Sequence, residues 1–145
     1  KPSSAASDVY KRQVKSSRVV VQENRSSFEL VNEPRHRIER VEVDGCLITG
    51  DQERCDWLLV VKCNPEVAYY VELKGCDIKK AVSQLGATLK ATKDRFELIN
   101  RKCYAVTTRV PRQGPTVQKL ARAFYKEHSV LLEVKNIRAS VNVAC

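Results

Sequence analysis

The chain is 145 residues long, 43% hydrophobic and 30% charged, which fits one globular domain around a single core. Its 26 Lys and Arg against 17 Asp and Glu leave a net charge of +9, a surplus that favours a polyanionic partner through counterion release. No apolar run approaches the roughly 20 residues that span a bilayer, and the opening KPSSAASDVYKRQ lacks a secretory apolar stretch; a membrane is excluded as partner and a cytoplasmic, reducing setting is expected.

Residues 1–17 are polar, Ser-rich and basic, and are expected to form a flexible arm ahead of one domain over 18–145. Lys11, Arg12, Lys15 and Arg18 there suit phosphate contacts or plain solvation. With no methionine in the chain, Lys1 is not expected to be the translated start. The apolar runs Val19–Val21 and Phe28–Val31 fit two short strands or part of a helix. From residue 38 to about 48 the pattern predicts a strand with Gly45 as a bulge, and TGDQER suits the hairpin turn after it. Asp56–Lys62 is apolar on both parities and predicts a strand covered on both faces. Asn64-Pro65-Glu66 turns the chain into a third strand, Val67–Leu73, completing an antiparallel meander.

Asp77 suits an N-cap, and Ile78, Ala81, Val82, Leu85 and Leu89 then recur at helical spacing, with Lys79, Lys80, Lys90 and Lys93 towards solvent. A fourth strand is predicted at Cys103–Thr108, followed by a basic loop to Pro115. A second helix takes Val117, Leu120, Ala121, Phe124 and Tyr125 inward, and its last residues Lys126 and His128 suit the negative pole of the dipole. Leu131–Val134 reads as a fifth strand and 139–143 as a short edge strand. Strand, helix, strand, helix, strand in that order implies right-handed crossovers. The fold class is therefore α/β (α+β): a central mixed sheet, a three-stranded meander then helix–strand–helix–strand, flanked by helices.

Six cysteines, Cys46, Cys55, Cys63, Cys76, Cys103 and Cys145, show no CxxC spacing, and His36 and His128 do not stand in zinc-finger register. Several end apolar runs, where a free thiol behaves as a small hydrophobe, so reduced thiols are expected.

The chemistry concentrates in CDWLLVVKCNPEVAYYVELKGCDIKKAVSQL, Cys55 to Leu85. Alternation puts Glu72 and Lys74 on one face of their strand and Leu73 on the other. Pairing of the two apolar strands brings Asp56 beside Glu72. Adjacent carboxylates repel unless a cation sits between them, and a hard cation such as Mg²⁺, with Mn²⁺ as substitute, matches these ligands. Lys74 would orient the attacking water or stabilise the departing phosphodiester oxygen. The bland counterpart is a Glu72–Lys74 surface pair with Asp56 capping a turn. Against it, the strand is otherwise apolar, where charges are costly without a task. Gln84 lies beside the apolar stripe of its helix and suits a site or a plain helix flank equally. Trp57, among leucines, reads as core.

Asp56, 15 intervening residues, Glu72-Leu73-Lys74 and then a helix carrying Gln84 resemble the PD-(D/E)xK nuclease superfamily, over about residues 38–108. The resemblance implies a restriction-endonuclease-like core, metal held by Asp56, Glu72 and the Leu73 carbonyl, Lys74 as catalytic lysine and Gln84 near the site. Cys55 stands where many members have proline. A further acidic ligand common in the family has candidates in Glu39, Glu42 and Asp44, with Glu29 behind them, and none stands out. Nucleic-acid contacts are expected from Arg35, Arg37 and Arg40 and from Arg109, Arg112, Lys119 and Arg122, with His36 in the first cluster either on a phosphate or solvated. The function implied is a Mg²⁺-dependent deoxyribonuclease, an endonuclease, cutting by metal-activated water. Its partner is DNA first among nucleic acids, and it works as a homodimer or in a larger complex. The alternative is a catalytically silent module of the same fold that binds nucleic acid or a protein.

Overall fold

Two apolar runs with no polar face, WLLVV and VAYYVE, must be covered on both sides, and they form the centre of the larger sheet. The structure, a computed structural model, describes residues 11–23, 25–43, 55–73, 77–96, 99–108 and 115–145. Among these, nine strands run β1 Lys11–Val14, β2 Arg18–Glu23, β3 Ser26–Val31, β4 Ile38–Glu42, β5 Trp57–Val61, β6 Val67–Glu72, β7 Asn100–Thr107, β8 Leu131–Asn136 and β9 Arg138–Asn142. The helices are α1 Ile78–Ala91, the short α2 Lys93–Phe96 and α3 Pro115–His128. The larger sheet has the order β1-β4-β5-β6-β7-β8, antiparallel through the β4–β5–β6 meander and parallel from β6 to β8. The mixed α and β architecture, with a meander followed by two helical crossovers, agrees with the pattern in the sequence.

What covers the sheet differs from the expectation of flanking helices. Helices α1 and α3 cover one face, where Leu85, Leu89 and Phe124 pack on Leu58, Tyr70 and Cys103. A second sheet, β2-β3-β9, covers the other, burying Val21, Phe28 and Leu30 against Leu59, Tyr69 and Tyr104. The alternation of β2, exposed–buried from Arg18 to Val21, is the one-sided pattern such a sheet requires. The expected edge strand at 139–143 exists as β9, but it lies parallel to β3 in the small sheet and is no edge of the large one. The expected flexible arm is also corrected: Lys11–Val14 form β1, paired with β4, while residues 1–10 lie outside the described residues. The bulge at Gly45 lies outside them as well.

Asp77 caps α1 as its sequence indicates, its side chain accepting from the Lys80 amide at 3.1 Å. Of the residues expected inward on α3, Val117 and Phe124 are buried, but Tyr125 is 53% exposed. The helices cross closely where Gly86 faces His128: a Cβ at 86 would stand 2.9 Å from His128 Nε2. His128 packs on Phe124, 4.6 Å between ring centres with the planes tilted by 52°. Burial holds this imidazole below its ordinary pKa; Lys90 and Arg101 push the same way, and Glu127 opposes them. The unfolded chain therefore takes up this proton first as pH falls through the usual histidine range near 6.5, and stability declines below it. Melting from pH 8 to 5 should show this decline in the wild type and a smaller one in His128→Gln.

The expectation of reduced thiols holds for Cys55 and Cys103, which are buried and free, but not for Cys63 and Cys145, which form a disulfide. Cys46 and Cys76 lie outside the described residues. No helix among those described is long and apolar enough to cross a membrane.

Candidate metal and active site

The β5–β6 ladder ends with Trp57 opposite Val71, and the next residues along are Asp56 and Glu72. Asp56 bonds to both chain neighbours of Glu72. Its amide donates to the Val71 carbonyl at 3.2 Å, and its Oδ2 accepts from the Leu73 amide at 2.8 Å. Its own carbonyl accepts from the Val43 amide at 3.1 Å, tying in the end of β4. Glu72 shares its strand parity with Ala68 and Tyr70, which face the helices, while Leu73 joins the core on the opposite face. Glu72 is fully buried and Asp56 nearly so, at 5% exposure, and neither is without a partner in the fold.

Helix α1 closes over this end of the ladder. The Cys55 amide donates to Thr88 Oγ1 at 2.7 Å, and that hydroxyl donates to the Gln84 carbonyl at 2.9 Å. One turn on, Thr92 Oγ1 donates to the Thr88 carbonyl at 2.7 Å and meets the Tyr70 hydroxyl at 2.6 Å. A run of hydroxyls on α1 thus fixes the residue before Asp56 and the strand carrying Glu72. The Cys55 thiol is pushed far up, by burial first and by the charges of Glu72 and Asp56 after it, so the thiol keeps its proton beside the carboxylates. A neutral thiol withholds the soft ligand that zinc favours.

Among the described residues no three His, Cys, Asp or Glu side chains gather as a metal cluster. An ion here would be held by two carboxylates and would draw its remaining ligands from main-chain oxygen and water. That donor set is hard, oxygen-only and short of full coordination, the habit of Mg²⁺. Asp56 and Glu72 fit it.

The other sequence candidates are spread apart. Lys74, Asp44, Arg109 and Arg112 lie outside the described residues. Glu39 pairs in register with Val60, towards the far end of β5, and its carboxylate is 3.0 Å from Lys62 Nζ. Glu42 sits opposite Trp57, sharing the parity of Arg40 and Ile38 and so the face away from the helices. Glu29 lies in the small sheet, paired with Arg18 and bonded to Ser140. Arg35 and Arg37 are exposed in the turn before β4, at the end of the meander remote from Asp56. In that turn the His36 amide donates to Asn32 Oδ1 at 3.0 Å. Arg40 lies over the Trp57 ring, 4.9 Å from its centre, which leaves Trp57 half-buried. Gln84 is half-buried on α1, and Lys119 and Arg122 are exposed on α3.

Thr88 was not among the candidates. The signal was present: Ala81, Leu85 and Thr88 fall at helical spacing, so a hydroxyl stands on the apolar stripe and needs a partner there. No family model, curated protein or solved structure matches the chain.

Proposed function

We propose that the chain is a metal-dependent nuclease with a PD-(D/E)xK-type centre in a restriction-endonuclease-like core, hydrolysing DNA phosphodiester bonds. One observation carries this: two buried carboxylates, Asp56 and Glu72, are the next residues along from the Trp57–Val71 pair that ends a strand ladder otherwise apolar. Burying such a pair costs stability unless a cation or a proton offsets the repulsion. Asp56, Glu72 and the Leu73 carbonyl would hold Mg²⁺, with Mn²⁺ as substitute. When bound, the ion would lower the pKa of a coordinated water and offset charge on the scissile phosphate. The Asp56–Leu73 hydrogen bond fixes the orientation of the Asp56 carboxylate. Lys74, two residues after Glu72, would act on the attacking water or the leaving oxygen. Lys119 and Arg122 on α3, with Arg109 and Arg112, would contact the DNA backbone on the helix side that Asp56 and Glu72 face, whereas Arg35, Arg37 and Arg40 lie away from it. A homodimer would let one duplex be cut on both strands, and a cytoplasmic setting would suit such a substrate.

The same hydrogen bond favours a second reading, a silent module in which Asp56 serves the fold and the +9 charge serves binding. Incubation of labelled linear, supercoiled, branched and single-stranded DNA, and RNA, with Mg²⁺, Mn²⁺ or EDTA separates the two. Cutting that requires metal and is lost in Lys74→Ala is the expected result. A wild type inert on every substrate would leave only the silent module.

A further inference from the structure

The carboxylate pair faces the helices, and the outer face of the small sheet lies on the far side of the molecule. We propose that this outer face docks a single nucleic-acid strand, with Arg25 and Arg138 on its phosphates and Ile137 and Val20 against successive bases. The face is hollowed into an open cleft of about 690 Å³. Across its strands Gln22, Ser27 and Arg138 form one row, and Val20, Glu29 and Ser140 the next.

Charge selects the occupant. Among the described residues Glu29 is the only carboxylate lining the cleft, and it is already engaged by Ser140 Oγ at 2.8 Å and by Arg18. Those bonds hold its pKa below the ordinary carboxylate value. Arg25 and Arg138 are exposed and make no ion pair among the described residues. Guanidinium forks match phosphate oxygens in pairs, and they do so here on a chain of net charge +9. A three-stranded face is only about 10 Å across, which suits one strand better than a duplex.

Ile137 is the second, independent observation. It is the single residue between β8 and β9, where the chain passes from the large sheet to the small one. Its φ is +62°, a left-handed conformation that β-branched residues avoid and glycine adopts freely. The backbone is pinned there, its amide donating to Thr107 at 2.7 Å and its carbonyl accepting from Ser27 at 2.9 Å. Glycine would make both bonds with less strain. Instead an isoleucine side chain stands 37% exposed in the cleft, which Val20, at 39%, also lines. A bulky apolar side chain kept at a strained position and left open to solvent is accounted for by contact with a ligand. An apolar surface beside guanidinium planes is what the face of a base packs against.

The test is anisotropy of a labelled single strand of about 12 nucleotides in EDTA, so that metal-dependent cutting plays no part in it. The wild type is expected to bind in a salt-sensitive manner. Arg25→Gln with Arg138→Gln should weaken binding about 10-fold and flatten the salt slope by about 1.4, two phosphate contacts' worth. Ile137→Gly should weaken it several-fold while melting no lower than wild type. The proposal is overturned if the wild type does not bind the strand, or if these variants bind as tightly as it does. It is also overturned if a polyglutamate peptide binds as tightly and is lost in the same variants, since the surface would then belong to an acidic protein.

Discussion

Glu72→Gln should separate activity from stability. The amide keeps the size and polar atoms of the side chain but removes one of two adjacent buried charges, so the folded state should be as stable as wild type or up to about 2 kcal/mol more so. Metal-dependent cleavage should fall by at least about 10²–10³-fold, because charge on the ligand is what holds the ion and offsets the phosphate. Asp56→Asn is the companion, since its side-chain carbonyl still accepts the Leu73 amide. Asp56→Ala would lose that bond as well and confuse the two effects. Calorimetry with and without metal provides a second readout. Saturating Mg²⁺ or Mn²⁺, at about 100 times its Kd, should stabilise the wild type by about 2.7 kcal/mol and leave Glu72→Gln unmoved. A Glu72→Gln protein that unfolds would show that the carboxylate serves the fold, and the nuclease proposal would lose its main support.

Reduction of Cys63–Cys145 should produce the largest loss of stability of any single change outside the core. The bond spans a sequence separation of 82, and a cross-link of that length removes much of the freedom of the unfolded chain. Its loss should cost about 2–4 kcal/mol, or about 5–15 °C in Tm for a domain of this size. Cys145→Ser should melt like the reduced wild type and no longer respond to dithiothreitol. The tail has other anchors, the Ala144 amide on the Tyr69 hydroxyl at 2.9 Å and the Val143 amide on the Val31 carbonyl at 3.0 Å. Equal melting of both redox forms would show that these already hold it. In a reducing compartment the dithiol form is the one that works, so the assays of cleavage and binding should be run in both states.

The elements legible in the sequence are those whose own residues dictate them. WLLVV and VAYYV are apolar at every position, and Asp77 followed by a 3.6-residue stripe states a capped helix. The adjacency of Asp56 and Glu72 followed from one short hairpin and needed no long-range knowledge. Long-range partners were not legible. Alternation tells β9 which face to bury but not which strand to join, and it joined β3 rather than the large sheet. Cysteine spacing does not determine pairing, so nothing in the sequence joins Cys63 to Cys145, although the fold brings them into a disulfide. KRQV looks like a solvated arm because an edge strand such as β1 needs few apolar residues. Tyr125 fits the apolar stripe of α3 by spacing, yet it is 53% exposed.

The parallel pairing of β3 with β9 also sets an order of assembly. Glu29 and Ser140, bonded across that pair, are 111 residues apart in the chain. During synthesis the β2–β3 hairpin emerges early, with Phe28 and Leu30 facing a core whose last strand has not yet been made. Its β3 edge is then an open template for any other extended chain. Closure of so distant a contact is slow, and crowded ribosomes on one message would hold several such hairpins close together. Production at low temperature and low expression should therefore raise the soluble yield by shortening the exposure of that edge relative to its capture by β9.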